Sequence, residues 1–382
     1  MKQIIYSLLL SILYCNSAYS QSSPSVDREK LLEWYQTQRY TEAAAYLETV
    51  YVQTTEDPRE IAQMAYANMM AGNLPSAERY YLKLLKQQPG SLPVLFNLAG
   101  ISRRRGDDIR ARSYYLEITK TDSLNFNVYK QLAALVDNPL DPEKLFYLKK
   151  ANIINPENPD VAFDLANGLN LAKKNDSAYV ILQPALQADT ANLMLLKAKL
   201  PVCIALKKME EAILTGEKLM SYGDSSGYVL NNMGKALFAS KNYGKSLQLF
   251  KAIEKMEQQN ESTLYYTALC YRELKDYKFS ATYLKKAIKE GISPFISGYY
   301  KILGEVYEKD MLNIAADLSY HKSLNFENNG EVYYNLALLN EFKLNNRKAA
   351  IKYYNQFLRS KPDPEKYKEV LIYVRERIAL LQ

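Results

Sequence analysis

A chain of 382 residues with 48% hydrophobic and 24% charged residues and a net charge of +7 is too apolar for a disordered polymer and too polar for a membrane channel. The charge excess is mild. Its densest knot, Arg103, Arg104, Arg105, Arg110 and Arg112, is interrupted by Asp107 and Asp108, so it reads as a solvated helix end and no nucleic-acid partner is expected.

The chain opens with Lys2, an almost unbroken apolar run from Ile4 to Leu13, and Ala18-Tyr19-Ser20 before Gln21. That order reads as a secretory signal over residues 1–20, followed by a short linker over 21–26. A bilayer span needs about 20 apolar residues, roughly twice this run, and no later segment is apolar enough, so no transmembrane segment is expected in the mature chain. Cys15 follows Ile12-Leu13-Tyr14, similar to a lipoprotein box, but Tyr14 stands where that signal wants a small residue. The expectation is an exported periplasmic protein rather than an outer-membrane lipoprotein anchored at Cys15. Cys203 and Cys270 lie two repeats apart, beyond the roughly 7 Å reach of a disulfide, and read as buried packing residues.

From residue 27 onward the sequence repeats. A small or apolar residue recurs at Leu31, Ala65, Ala99, Ala133, Ala166, Leu200, Gly234, Ala268, Gly304 and Ala337, at spacings of about 34. Twelve residues after most of these stands a second small residue: Ala43, Ala77, Ala111, Ala178, Ala212, Ser246, Ser280 or Ala316. Two antiparallel helices can approach closely only where such a side chain faces the partner. Four residues after the second column stand Tyr81, Tyr115, Leu182, Phe250, Leu284 and Tyr320, on the same buried stripe. Gly72-Asn73, Gly106-Asp107 and Lys241-Asn242 supply turns, and Pro89, Pro156 and Pro362 stop helices.

The pattern resembles the tetratricopeptide-repeat family, most faithfully at Ile61 to Pro89 and at Leu230 to Phe250. The resemblance implies an all-α, right-handed α-solenoid of about ten helix pairs: six over 27–222 and four over 223–362. Residues 363–382 read as a C-terminal capping helix with Tyr367, Val370, Leu371, Val374, Ile378 and Leu381 on its apolar face. The fourth pair carries Pro139 and Pro142 and lacks a second small residue. The sixth carries Pro201 inside its first helix, Lys199 at an apolar position and Gly216 where an aromatic usually packs, and is expected to be the weakest.

Chemistry has little purchase. His321 is the only histidine and reads as a rim residue, and there is no phosphate loop or clustered metal-ligand spacing, so neither catalysis, cofactor nor metal is expected. Of the 33 tyrosines, Tyr81, Tyr115, Tyr271, Tyr307 and Tyr320 fall on core stripes. In the family the first helix of each pair lines a concave groove, and the resemblance places Tyr66, Tyr228, Tyr265, Tyr266 and Tyr334 there. It places Phe96, Asn97, Phe163, Asn167, Asn231, Asn232, Lys235 and Arg272 there too. Lys130 and Lys197 are followed one turn later by Ala134 and Pro201, so the carboxylate clamp of chaperone-binding members is not expected. The resulting expectation is a non-catalytic protein-interaction scaffold of the bacterial cell envelope that takes a protein or peptide partner in its groove. The alternatives are a glycan- or peptidoglycan-binding module and an accessory subunit of a secretion or outer-membrane assembly. N-terminal mass analysis of the exported protein should find Gln21 first; a lipidated Cys15, or an intact Met1 in the cytoplasm, would reverse the localisation.

Overall fold

Helix starts follow from single side chains. The carboxylates or amides of Asp57, Asp107, Asn158, Asn192, Asn242 and Asn346 each accept a hydrogen bond from a backbone N–H of the first turn, satisfying a donor that the helix itself leaves unpaired. Proline stands first in the helices that begin at Pro58, Pro142 and Pro159, where its missing N–H costs no bond. In nine of the ten pairs the turn after the first helix takes a left-handed residue, supplied at Gln38, Gly72, Gly106, Lys173, Lys207, Lys241, Lys275, Met311 and Asn345; the turn of the fourth pair has none.

The computed structural model describes residues 26–51, 55–290 and 294–382, which hold twenty-one helices and no strand. The expected signal peptide and Cys15 lie outside the described residues. Contacts divide the chain into two units, one through Pro156 and one from Glu157. In the first unit the pairs are α1 (Arg28–Gln36) with α2 (Tyr40–Val50), α3 (Pro58–Met70) with α4 (Leu74–Gln87), α5 (Leu92–Arg104) with α6 (Asp108–Thr121), and α7 (Phe126–Ala134) with α8 (Pro142–Ile154). The second unit opens with α9 (Pro159–Leu171) and α10 (Asn175–Ala188), α11 (Leu193–Ala205) and α12 (Met209–Ser221), and α13 (Gly227–Ala239) and α14 (Tyr243–Lys255). It continues with α15 (Glu261–Glu273) and α16 (Tyr277–Glu290), α17 (Ile296–Lys309) and α18 (Asn313–Leu324), and α19 (Gly330–Phe342) and α20 (Arg347–Arg359), then α21 (Lys368–Leu381).

Both small-residue columns are buried throughout. The approach is closest at the glycines: a Cβ on Gly234 would sit 2.7 Å from the ring of Phe250, and one on Gly304 would sit 2.5 Å from that of Tyr320. Tyr320 cannot retreat, because it is fully buried and its hydroxyl donates to Glu308 at 2.7 Å. Burial holds the Glu308 carboxyl above the usual carboxylate range. The tenth pair repeats the device, with Ala350 buried and Tyr354 donating to Glu341 at 2.7 Å. At Tyr320 and Tyr354 tyrosine thus has a packing role: the ring fills the space over the small residue and a carboxylate takes its hydroxyl. Tyr81 and Tyr115 are buried as expected, whereas Tyr271 and Tyr307 are only half-buried.

The arginine knot is largely exposed at the end of α5 and the start of α6, as expected, and it is also paired. Arg105 and Arg110 both hold the Glu78 carboxylate, Arg103 reaches Gln131, Arg112 reaches Glu143, and Arg104 donates to the Met69 carbonyl at 3.0 Å, so the cluster ties successive pairs of the first unit together. The irregular sixth pair is likewise complemented. Lys199 meets Glu211 at 2.6 Å, and Met233 fills the place of the side chain that Gly216 lacks. Pro201 has no N–H for the Lys197 carbonyl four residues earlier, and the Tyr228 hydroxyl donates to that oxygen instead, at 3.3 Å. At the end of the chain the expected apolar face of α21 packs on Tyr354 and Phe357, and Arg377 pairs with Glu341. That helix begins at Lys368 rather than near residue 363, because residues 364–367 form turns.

The close approach is testable by a matched pair. Gly304→Ala should lower stability by about 1–3 kcal/mol through overpacking against Tyr320. Gly100→Ala, in α5 with nothing near its Cβ position, should raise stability by roughly 0.5–1 kcal/mol through helix propensity. Thermal unfolding followed by circular dichroism reads both, and equal effects at the two sites would remove the steric explanation.

Candidate binding groove in the second unit

On α13, Tyr228, Asn231 and Lys235 are spaced three and four residues apart and therefore share one stripe. Gly234 and Met233, buried against the partner helices, fix the roll of α13 that turns this stripe away from the core. Two clefts flank it. One, of about 580 Å³, is lined by Phe163, Asn167, Asn170, Met194, Lys197 and Tyr228, among others. The second, of about 540 Å³, is lined by Lys235, Glu261, Tyr265, Tyr266, Phe295 and Tyr299 with Glu327 at its edge.

The aromatic rings of the second cleft support one another. Tyr265 lies 4.7 Å from Tyr299 and 5.7 Å edge-on to Tyr266, and Tyr266 stacks on the buried Phe250 at 5.8 Å. The Lys235 ammonium sits 5.4 Å over the Tyr266 ring. Burial raises both tyrosine hydroxyls above the ordinary range and lowers the Lys235 ammonium below it. Lys197, Lys199, Arg272 and Lys301 on neighbouring first helices each meet a carboxylate: Asp224, Glu211, Glu305 and Glu331 respectively. Lys235 meets none among the described residues. One turn away, the Asn231 Oδ1 is buried without a hydrogen-bond partner. The stripe therefore presents an unmatched donor and an unmatched acceptor side by side.

Of the residues expected in the groove, Phe163 and Asn167 line the first cleft, and Lys235, Tyr265 and Tyr266 line the second, with Asn231 between. Two do not serve. Asn232 is buried and its amide donates to the Tyr228 carbonyl at 2.9 Å, because its place, one residue from the stripe, turns about 100° inward. Arg272 is committed to Glu273 at 2.8 Å and Glu305 at 3.5 Å, so it is no free groove cation. Phe96 and Asn97 are half-buried in the first unit, where Phe96 packs edge-on to Tyr115 at 5.5 Å. Also on first-helix faces, Tyr66 is exposed and Tyr334 packs at 5.4 Å from Phe357. Phe295 and Tyr299 also line the second cleft and were not among the expected residues, although Tyr299 stands 34 residues after Tyr265, at the repeat period. His321 is a rim residue as expected, 45% exposed in its side chain and 3.0 Å from the Tyr353 hydroxyl. Both cysteines are free and buried, and burial pushes each thiol up to about 11.

Residues 330–364 match the tetratricopeptide-repeat family pattern. No curated protein matches the sequence. Among solved structures, the chain is similar to a tetratricopeptide repeat protein from Parabacteroides merdae, at 14% identity and TM-score 0.41 over 67% of this chain and 100% of that one. It is similar to PilF of Pseudomonas aeruginosa at 19% identity and TM-score 0.45, over 56% of this chain and 96% of that one. Human IFIT1 matches at 15% identity and TM-score 0.46, over 94% and 90% of the respective chains.

Lys235→Met removes the desolvated charge and keeps an unbranched apolar stem as far as the ε position. At neutral pH the variant should melt at an equal or higher temperature than the native protein. Because the folded-state pKa of Lys235 is depressed, the native chain recovers stability as pH rises through it, so the gap should narrow in alkaline buffer. A lower melting temperature for the variant at neutral pH would show that Lys235 has a stabilising partner.

Proposed function

Since the chain is of the tetratricopeptide-repeat class, we propose that it is a non-catalytic interaction scaffold whose second unit binds an extended peptide or a partner's exposed segment across α13. The observation that carries this reading is the pair of unmatched polar groups on one helix face, Asn231 Oδ1 and the Lys235 ammonium, set between two aromatic-lined clefts. A peptide group offers both complements: its N–H can donate to Asn231, while its carbonyl or a neighbouring acidic side chain accepts from Lys235. Tyr265 and Tyr266 are held by ring neighbours before any ligand arrives, so little side-chain order is lost on binding.

A glycan-binding reading has less support, because Tyr265 and Tyr266 already present ring faces to Tyr299 and Phe250. The sequence start, read as an export signal, supports placing the scaffold in a bacterial envelope, and its partner within an assembly there.

Selection from a displayed random-peptide library on the purified chain tests the groove. The selected peptides should be enriched in acidic residues, and replacing Asn231, Lys235 and Tyr265 together by Ala should weaken them tenfold or more, roughly 1.4 kcal/mol, without loss of helicity. Selected peptides that bind the folded triple variant unchanged would move the site off α13.

A further inference from the structure

In nine of the ten pairs the turn that joins the two helices takes a left-handed residue, for which glycine is the unstrained choice, as at Gly72 and Gly106. Four successive turns of the second unit use lysine instead: Lys173, Lys207, Lys241 and Lys275 adopt φ of 59°, 58°, 62° and 65°. A side chain in this conformation is disfavoured, so the repeated choice points to a use for the charge. All four are exposed and none meets a carboxylate among the described residues. The first helices α9, α11, α13 and α15 pack in succession, so their turns share one edge. At about 8–10 Å between packed helices, the four ammonium groups form a row of roughly 30 Å.

Apolar side chains stand in the same row. Leu171 and Leu274 flank lysines and Met311 occupies the next left-handed turn position, with exposures of 50%, 47% and 69%, and Phe279 is half exposed nearby. Exposed acids on this edge are fewer: Asp176, Glu210 and Asp310 beside Met311 are exposed, while Asp276 caps the N–H of Phe279. Aliphatic tips between lysines have no use on a nucleic acid, whose recognition calls for stacking rings and arginine forks. They suit a surface with charged headgroups over hydrocarbon.

We propose that this turn edge of the second unit docks on an anionic lipid bilayer, the lysines at the headgroups and Leu171, Leu274 and Met311 at the acyl boundary. The surface is separate from the α13 groove and does not depend on it. The rival role for the lysines is structural, since a cation near a helix C-terminus is favourable in itself.

Co-sedimentation of the full chain with vesicles of phosphatidylcholine containing about one third phosphatidylglycerol tests the proposal. The chain should bind these vesicles, release them as salt is raised, and ignore pure phosphatidylcholine. The variant K173G/K207G/K241G/K275G should lose about tenfold or more in affinity while melting at an equal or higher temperature, because glycine relieves the turns. Asparagine, which also tolerates this conformation, should give the same loss at all four positions, and the triple α13 variant should bind vesicles like the native chain. Failure of the native chain to sediment at low ionic strength, or undiminished binding by the fourfold variant, would overturn the proposal. So would a fourfold variant that melts lower with its vesicle binding intact, which would assign the lysines to the helix ends alone.

Discussion

The contact between a bare or nearly bare Cα on one helix and a ring on the next governs the rest of the molecule. Where Gly304 lies under Tyr320 and Gly234 under Phe250, even one added carbon would overlap the ring, so the roll of each first helix is fixed by sterics rather than by a general preference for apolar contact. Once that roll is fixed, every other side chain on the helix has its direction assigned. On α13 the same constraint that buries Met233 and Gly234 leaves Tyr228, Asn231 and Lys235 facing outward.

A ring over a small residue can be phenylalanine or tyrosine, and this chain mostly uses tyrosine. The choice obliges it to supply acceptors inside the pairs, and Glu308 and Glu341 meet that need from the adjacent helix. These bonds make the stack sensitive to carboxylate loss as well as to ring loss, because an orphaned buried hydroxyl costs more than the bond it made. Tyr228 shows the same economy in the opposite sense: its hydroxyl serves the carbonyl that Pro201 leaves unpaired, so a residue on the groove face also repairs a helix.

The helix pairs were legible in the sequence because the 34-residue period is written in residue size, and size is what close packing selects. The tenth pair shows the limit of that legibility. Its second column, Ala350, lies thirteen residues after Ala337 rather than twelve, and was passed over, although residues 330–364 are the stretch that matches the family pattern. The pairing of the exposed arginine knot was illegible for a different reason. Its partner Glu78 is one repeat earlier in the chain, and charge pairing between repeats leaves no periodic mark. The groove was half legible: the stripe on α13 follows from helical spacing, but Asn232 and Arg272 were separated from it only by contacts, one buried by a turn of about 100° and the other paired with Glu305.

What distinguishes the α13 stripe from the other first helices is that its cation is unmatched, while Lys197, Lys199, Arg272 and Lys301 are matched. A partly buried ammonium without a carboxylate is unfavourable for folding and is retained most readily where a ligand supplies the counter-charge. The most direct test is an NMR titration of the lysine side chains of the full chain, free and with a selected acidic peptide. Lys235 should titrate below the other lysines in the free protein, as burial dictates, and move upward when the peptide is bound. A Lys235 that titrates with the exposed lysines and ignores the peptide would contradict the account.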